Sequence, residues 1–257
     1  MYGRGSQVSF GPPVTPPIIR NLMIANGVVF IIQHLQPLGD AVNWYGAVRP
    51  ALVWQGLYLW QPFTYMWMHA GFLHIALNMF ALWMFGAPLA LAWGEKRFLR
   101  YYLVCGVGAG VIIATLPYLA VLSGWGGSAE GLVIPTVGAS GAVMGVLLGF
   151  SFTWPDRTIM LMFPPIPMKA IWLIPLLFLI EFTTGPQNIS HAGHLGGVLV
   201  GWIYLAREGR TPGAPNLQTI KHKWRRYRMR QKLRAVKNDE RRTRRNVNDD
   251  DDHRTYH

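Results

Sequence analysis

The chain has 257 residues, of which 51% are hydrophobic, 13% aromatic and only 14% charged, with a formal net charge of +12. Soluble domains carry about 25% charged side chains, and here residues 207–257 hold 16 of the 24 Lys/Arg and 7 of the 12 Asp/Glu. The 8 basic and 5 acidic side chains left before residue 207 are too few to cover a water-facing surface, and the apolarity of that body excludes disorder.

Residues 1–17 are polar and rich in Gly and Pro, without the basic-then-apolar order of a cleavable signal peptide. Six apolar segments follow, at about Ile18–Leu35, His69–Trp93, Phe98–Leu122, Gly138–Trp154, Lys169–Thr183 and His191–Ala206. Arg20, Asn21, Asn26 and Gln33 interrupt the first, which makes it the weakest. The pattern predicts an all-α polytopic membrane protein. Residues 1–17 form an N-terminal segment, 18–206 a bundle of six transmembrane helices and 207–257 a basic tail. Basic residues lie before or at the start of the first segment (Arg4, Arg20) and follow the second (Lys96, Arg97, Arg100), the fourth (Arg157, Lys169) and the sixth, whereas the alternate loops hold only Arg49. The positive-inside bias then places both termini in the cytoplasm. With short loops and no transit peptide, a prokaryotic cell membrane is the simplest location.

In the tail, Leu217, Ile220, Trp224 and Tyr227 recur at helical spacing among Lys221, Lys223, Arg225, Arg226 and Arg228. That pattern fits a basic amphipathic helix on anionic lipid head groups. Nucleic acid is the less suitable partner for a tail fixed beside a membrane. A disordered, topology-fixing tail is the alternative, with the Asp249–Asp252 run folded back or solvated.

Two of the segments are short. The fourth has 17 residues and the sixth about 16, so at ~1.5 Å per residue each falls below the ~30 Å of a hydrocarbon core. Their outer ends, which start in a depression that admits water or in a thinned bilayer, carry Gly138-Ala139-Ser140 and His191-Ala192-Gly193-His194. The second segment descends from the same side with His69, His74 and Asn78 in its first turns. His74 and Asn78, four apart, share a helix face. Polar groups in a bilayer are costly and face an interior site.

A serine becomes a nucleophile when an imidazole takes its proton. Ser140 opens a helix, where unsatisfied N–H groups favour a developing oxyanion. His194 is the candidate base and His74, Asn78 and the Ser140 backbone N–H the candidate anion stabilisers. Without an evident acid to orient the histidine, a two-residue dyad is expected. Glu181, near the outer end of the fifth segment, is expected to snorkel to the interface. His191 is expected to line the mouth and His69 to donate a structural hydrogen bond in the first loop. Gly141, Gly145 and Gly149 on the fourth segment, and Gly197 and Gly201 on the sixth, recur every four residues and allow close helix approach, with Gly138 just ahead of them. The single Cys105 excludes an intrachain disulfide and any multi-cysteine metal site. No cofactor is expected. His69, His74, His191 and His194 around a metal ion form a rival reading.

On Gly138-Ala139-Ser140-Gly141, on His194-Leu195-Gly196-Gly197 with Gly201, and on His74 with Asn78, the sequence resembles the rhomboid intramembrane serine proteases over about residues 18–206. The resemblance implies a serine endopeptidase that cuts other membrane proteins in or near a transmembrane segment. Ser140 would be nucleophile, His194 base, and His74, Asn78 and the Ser140 amide the oxyanion hole. The first loop, about Gln36–Gln61, would be a membrane-embedded arm, and substrate would pass the fifth helix. Two positions depart from the family pattern. Gln61 follows Trp60 where many members have arginine, and Met144 stands where many have an aromatic residue beside the histidine. The first bears on loop rigidity and the second on rate. A non-proteolytic rhomboid-like binding factor is the alternative function, although its usual mark, loss of the serine or the histidine, is not seen.

Overall fold

The computed structural model describes residues 11–124, 128–160, 165–184, 191–209 and 225–231. The chain divides into two compact units, residues 1–205 and 206–257. In the second, residues 225–231 are helical, with Tyr227 exposed. Leu217, Ile220, Trp224, Asp249–Asp252 and the N-terminal Arg4 lie outside the described residues.

The first unit is built of helices. Helix α1 (Pro17–Gln33) opens on a proline, whose missing N–H costs nothing in a first turn. It buries Ile19, Leu22, Asn26 and Gln33. The polar residues that weaken this segment in the sequence therefore have different fates. Arg20 and Asn21 face outward. Asn26 donates to the Leu22 carbonyl at 2.7 Å and Gln33 to Asn43 Oδ1 at 2.8 Å, while Gln33 Oε1 accepts the His69 N–H at 2.9 Å. Gln33 thus braces the helix to the segments beside it, while the Asn26 bond stays within α1.

Helix α2 (Leu38–Gly46) turns 119° from α1. The first loop continues through α3 (Pro50–Trp54), α4 (Gln61–Thr64) and a 3₁₀ turn, Tyr65–Trp67. Gln61 is fully buried. Its Oε1 accepts the Arg49 N–H at 3.0 Å and its Nε2 donates to the Tyr45 carbonyl at 3.4 Å. The Arg49 guanidinium donates to the Asn43 and Trp44 carbonyls at 3.3 and 2.6 Å and lies 4.7 Å over the Trp44 ring. Partial burial pulls its pKa below the ordinary arginine value. Gln61 thus anchors the loop as a neutral amide, and Arg49 contributes a cation from twelve residues earlier. Gln61→Leu leaves the Arg49 N–H without its acceptor. It is expected to cost about 1–3 kcal/mol, read as a lower thermal unfolding midpoint in detergent.

Helices α5 (Phe72–Ala81) and α6 (Ala87–Trp93) form one 22-residue stretch with a π turn at Leu82–Gly86. Pro88 follows that turn. It has no N–H for the Met84 carbonyl, and a widened turn relieves the clash of its ring with that carbonyl. Helix α7 (Glu95–Leu122) has 28 residues. Among the described residues, Phe72–Trp93 and α7 are the helices long and apolar enough to cross a membrane, and the α1–α2 pair is a third if the two bent halves count as one span. Helices α8 (Ser140–Thr153), α9 (Leu173–Thr184) and α10 (His191–Arg207) are shorter. All six apolar segments are helical along most of their length, but they do not all reach spanning length.

Helix α8 is the central element, and ten of its 14 residues are buried. A helix apolar all round belongs inside. Tyr101 donates to the Gly145 carbonyl at 2.7 Å, and Tyr65 to the Gly106 carbonyl on α7 at 2.8 Å. Facing outward are Leu73 and Leu77 of α5, Leu116 and Leu119 of α7, and Leu179 and Ile180 of α9. Such a run of exposed apolar side chains suits hydrocarbon rather than water.

One short stretch departs from an all-helical expectation. Strands β1 (Thr158–Met160) and β2 (Pro167–Lys169) pair antiparallel, with Ile159 opposite Met168. Pro165 and Pro167 bar a helix there.

Candidate active site

The start of α8 is fixed by the first loop. Val48 and Thr136 exchange backbone hydrogen bonds at 3.0 and 2.8 Å, and the Gly138 N–H donates to the Tyr65 carbonyl at 3.0 Å. Gly138 has φ +135°, in the region that favours glycine. A Cβ on it would lie 2.8 Å from both Cε1 and Nε2 of His74 and 3.5 Å from Ser140 Oγ. The edge of the His74 ring and the Ser140 hydroxyl therefore flank one small space that only a glycine leaves open. Ser140 is the first residue of α8, so its N–H and those of Gly141 and Ala142 have no intrahelical acceptor, the first such bond being Val143 N–H to the Ala139 carbonyl at 2.9 Å.

Helix α10 meets α8 backbone to backbone. A Cβ on Gly197 would run into the Gly141 carbonyl oxygen and lie 2.7 Å from its carbon. One on Gly141 would lie 3.3 Å from the Gly193 oxygen, and one on Gly201 3.4 Å from the Gly145 Cα. Ser140 precedes Gly141 and His194 follows Gly193, so both lie beside this seam. Gly149 serves a different contact, against Leu89 and Trp93 of α6 and Tyr101 of α7.

The expectations for Glu181, and for an unoriented histidine, need correction. Glu181 does not snorkel. It is 7% exposed, and its Oε2 lies 2.8 Å from His194 Nδ1 while its Oε1 lies 2.6 Å from His191 Nδ1. Burial with two hydrogen-bonding partners is the favourable state of a carboxylate in a poorly hydrated site. Helix α9 ends at Thr184 and α10 begins at His191, so the last turns of one face the first turns of the other. A readable signal existed, because Glu181 is the one acidic residue within an apolar segment and lies at the same end as both histidines.

The hydrogen bonds also set the proton positions. An ionised carboxylate only accepts, so His194 carries its proton on Nδ1 and leaves the Nε2 lone pair free. His74 is arranged oppositely. Its Nδ1 accepts the Ala70 N–H at 3.3 Å, so the proton of the neutral ring sits on Nε2, the nitrogen beside Gly138. One imidazole is thus an acceptor and the other a donor. Asn78 is buried and donates one amide proton to the His74 carbonyl at 2.8 Å, leaving its second N–H.

His69 is buried edge-on to His74, with ring centroids 5.1 Å apart. Its ring nitrogens have no hydrogen-bond partner among the described residues, and its contact with Gln33 is made by the backbone. His191 is partly exposed and stacks on Phe182 at 5.2 Å. Met144 is half-buried. A cavity of about 370 Å³ adjoins, lined by Gln33, Arg49, His69 and Val137 among others. Among the described residues no three His, Cys, Asp or Glu side chains are arranged to hold a metal ion, and the four histidines form two pairs with different partners.

Fold and site together define a class: a helical membrane protein whose central buried helix begins at a serine, beside two histidines brought in by other helices. The Rhomboid domain profile matches residues 57–210, and the chain belongs to the rhomboid family. It is 34% identical over 140 residues to Rhomboid protein 1, mitochondrial, of Saccharomyces cerevisiae, a match covering 53% of this chain and 38% of that protein. It is 29% identical over 195 residues to the human Presenilin-associated rhomboid-like protein, mitochondrial, covering 73% and 47%. A 29% identity over 167 residues relates it to Rhomboid protease GluP of Bacillus subtilis, covering 64% and 29%. The chain thus spans less than half the length of these relatives. Mitochondrial proteins among them stand against reading a prokaryotic membrane from loop length.

Proposed function

We propose that this protein is an intramembrane serine endopeptidase that cleaves transmembrane or membrane-adjacent segments of other membrane proteins. The observation that carries the reading is the opposed hydrogen bonding of His194 and His74 around the head of α8. His194 offers a lone pair to take the Ser140 proton. His74 Nε2–H, the Ser140 amide and the second N–H of Asn78 offer donors to the oxyanion that forms when Ser140 Oγ attacks a peptide carbonyl. His194 then returns the proton to the leaving amine. The family membership and the protease relative from Bacillus support this chemistry. The six helical segments are read as six crossings, with the short α8 enclosed by its neighbours and both basic termini on the cytoplasmic side.

The test is cleavage of a panel of single-span model substrates by the purified protein in liposomes. Ser140→Ala is expected to stop cleavage while substrate still binds. A wild-type protein that binds the panel and cuts none of it would favour the binding-factor alternative, and loss of cleavage on chelation would favour the metal one. Gly138→Ala is expected to displace the His74 ring and strain the turn. It should lower kcat by about 100-fold, the scale of a ~1 Å misplacement at a reacting centre, measured on the same substrates.

A further inference from the structure

We propose that Glu181 is a positioning residue for His194, making the reacting unit a serine–histidine–glutamate triad; this rests on the reading of His194 as the base. The carboxylate comes from α9, a different helix from the one that carries the histidine, and its side chain is 6% exposed. Both oxygens are engaged, Oε2 with His194 Nδ1 at 2.8 Å and Oε1 with His191 Nδ1 at 2.6 Å. A neutral imidazole has one N–H. Binding it at Nδ1 removes the competing tautomer, in which the proton would sit on Nε2 and block the base.

His191 has its own part in this arrangement. It ties the second carboxylate oxygen and is itself stacked on Phe182, with the rings inclined by 25°. The carboxylate is thereby held at both ends and cannot rotate away from His194. During attack the proton moves from Ser140 Oγ to His194 Nε2, while the Nδ1 proton stays on the ring and Glu181 stays ionised. The imidazolium then faces a fixed negative charge in a site of low polarity, where such a charge acts more strongly than in water. The proton leaves with the amine, and the carboxylate returns unchanged.

The experiment compares Glu181→Gln, Glu181→Asp and His191→Ala of the full chain in liposomes with a single-span substrate, with rates expressed per folded molecule. Glu181→Gln keeps the shape and removes the charge. It is expected to lower kcat at least 10-fold with KM within about twofold, on a scale where the carboxylate-to-amide change in the serine-protease triad costs about 10⁴. Glu181→Asp, which keeps the charge, is expected to retain more kcat than Glu181→Gln, and His191→Ala to lose less than either. A Glu181→Gln protein with wild-type kcat, or one whose loss is entirely in KM, overturns the assignment. So does a loss that disappears once rates are corrected for folded fraction. If Glu181→Gln does not fold, Glu181→Asp and His191→Ala decide: wild-type kcat in both overturns it. Ser140→Ala and His194→Ala separate the two levels, because cleavage surviving in either removes the underlying reading rather than the role of Glu181.

Discussion

Ser140→Ala and His194→Ala are each expected to reduce kcat by about 10⁶, and the double variant is expected to be no worse than either single one. The reason is that nucleophile and base act on one proton. Without the base, the hydroxyl stays a poor nucleophile, and without the hydroxyl, the base has nothing to activate. A double variant that lost far more than each single would mean that the two residues act independently, which contradicts the mechanism. Stability separates the pair. Ser140 is the first helical residue, after the N-cap Ala139, and is not the cap itself, so its truncation is expected to stay within about 0.5 kcal/mol. His194→Ala leaves Glu181 Oε2 without its 2.8 Å partner, and the cost is expected to be about 1–3 kcal/mol. Cleavage rates and thermal midpoints from the same preparation check both statements.

Much of this site was legible because its parts carry local signals. Ser140 precedes a glycine-rich apolar run too short to span a bilayer, and His194 sits in the same position on another. Depth in the membrane brings such residues to one level without any knowledge of tertiary contacts. The role of Glu181 is hard to read for the opposite reason. Its partners are 10 and 13 residues away on the next helix, and no periodicity within α9 reveals which way that helix turns. Gln61 and Asn26 show the same limit. In the sequence they read as a lost cation and an interruption, and in the fold both are buried and hydrogen-bonded, Gln61 across the first loop and Asn26 within its own helix. The β1–β2 pair was hidden because a short proline-rich connection can be turn or strand until its partner is known. The six apolar segments and the shortness of the fourth and sixth were evident, and the fourth is short because a helix packed at the centre of a bundle is bounded by its neighbours rather than by lipid.

The second large effect is expected from a residue that touches no substrate. Gly197→Ala adds one methyl group where the neighbour is the backbone of Gly141, its carbonyl carbon 2.7 Å from the new atom. A side chain at that point would rotate aside, but a helix backbone cannot, so α8 and α10 must separate by about an ångström to restore ordinary contact. Overpacking of this kind costs about 1–3 kcal/mol. The larger consequence is for the chemistry, because Ser140 and His194 are each one residue, or a few, from the seam and move apart with their helices. A displacement of about 1 Å costs roughly 10²-fold in rate, so kcat is expected to fall by that factor or more. Gly27→Ala is the control. A Cβ there meets nothing within 4 Å, and on α1 the change is expected to leave cleavage unaltered and to stabilise by about 0.5–1 kcal/mol. Gly197→Ala cleaving at the wild-type rate would show that the serine and histidine meet without this contact, and the glycine seam would then have to be read as packing alone.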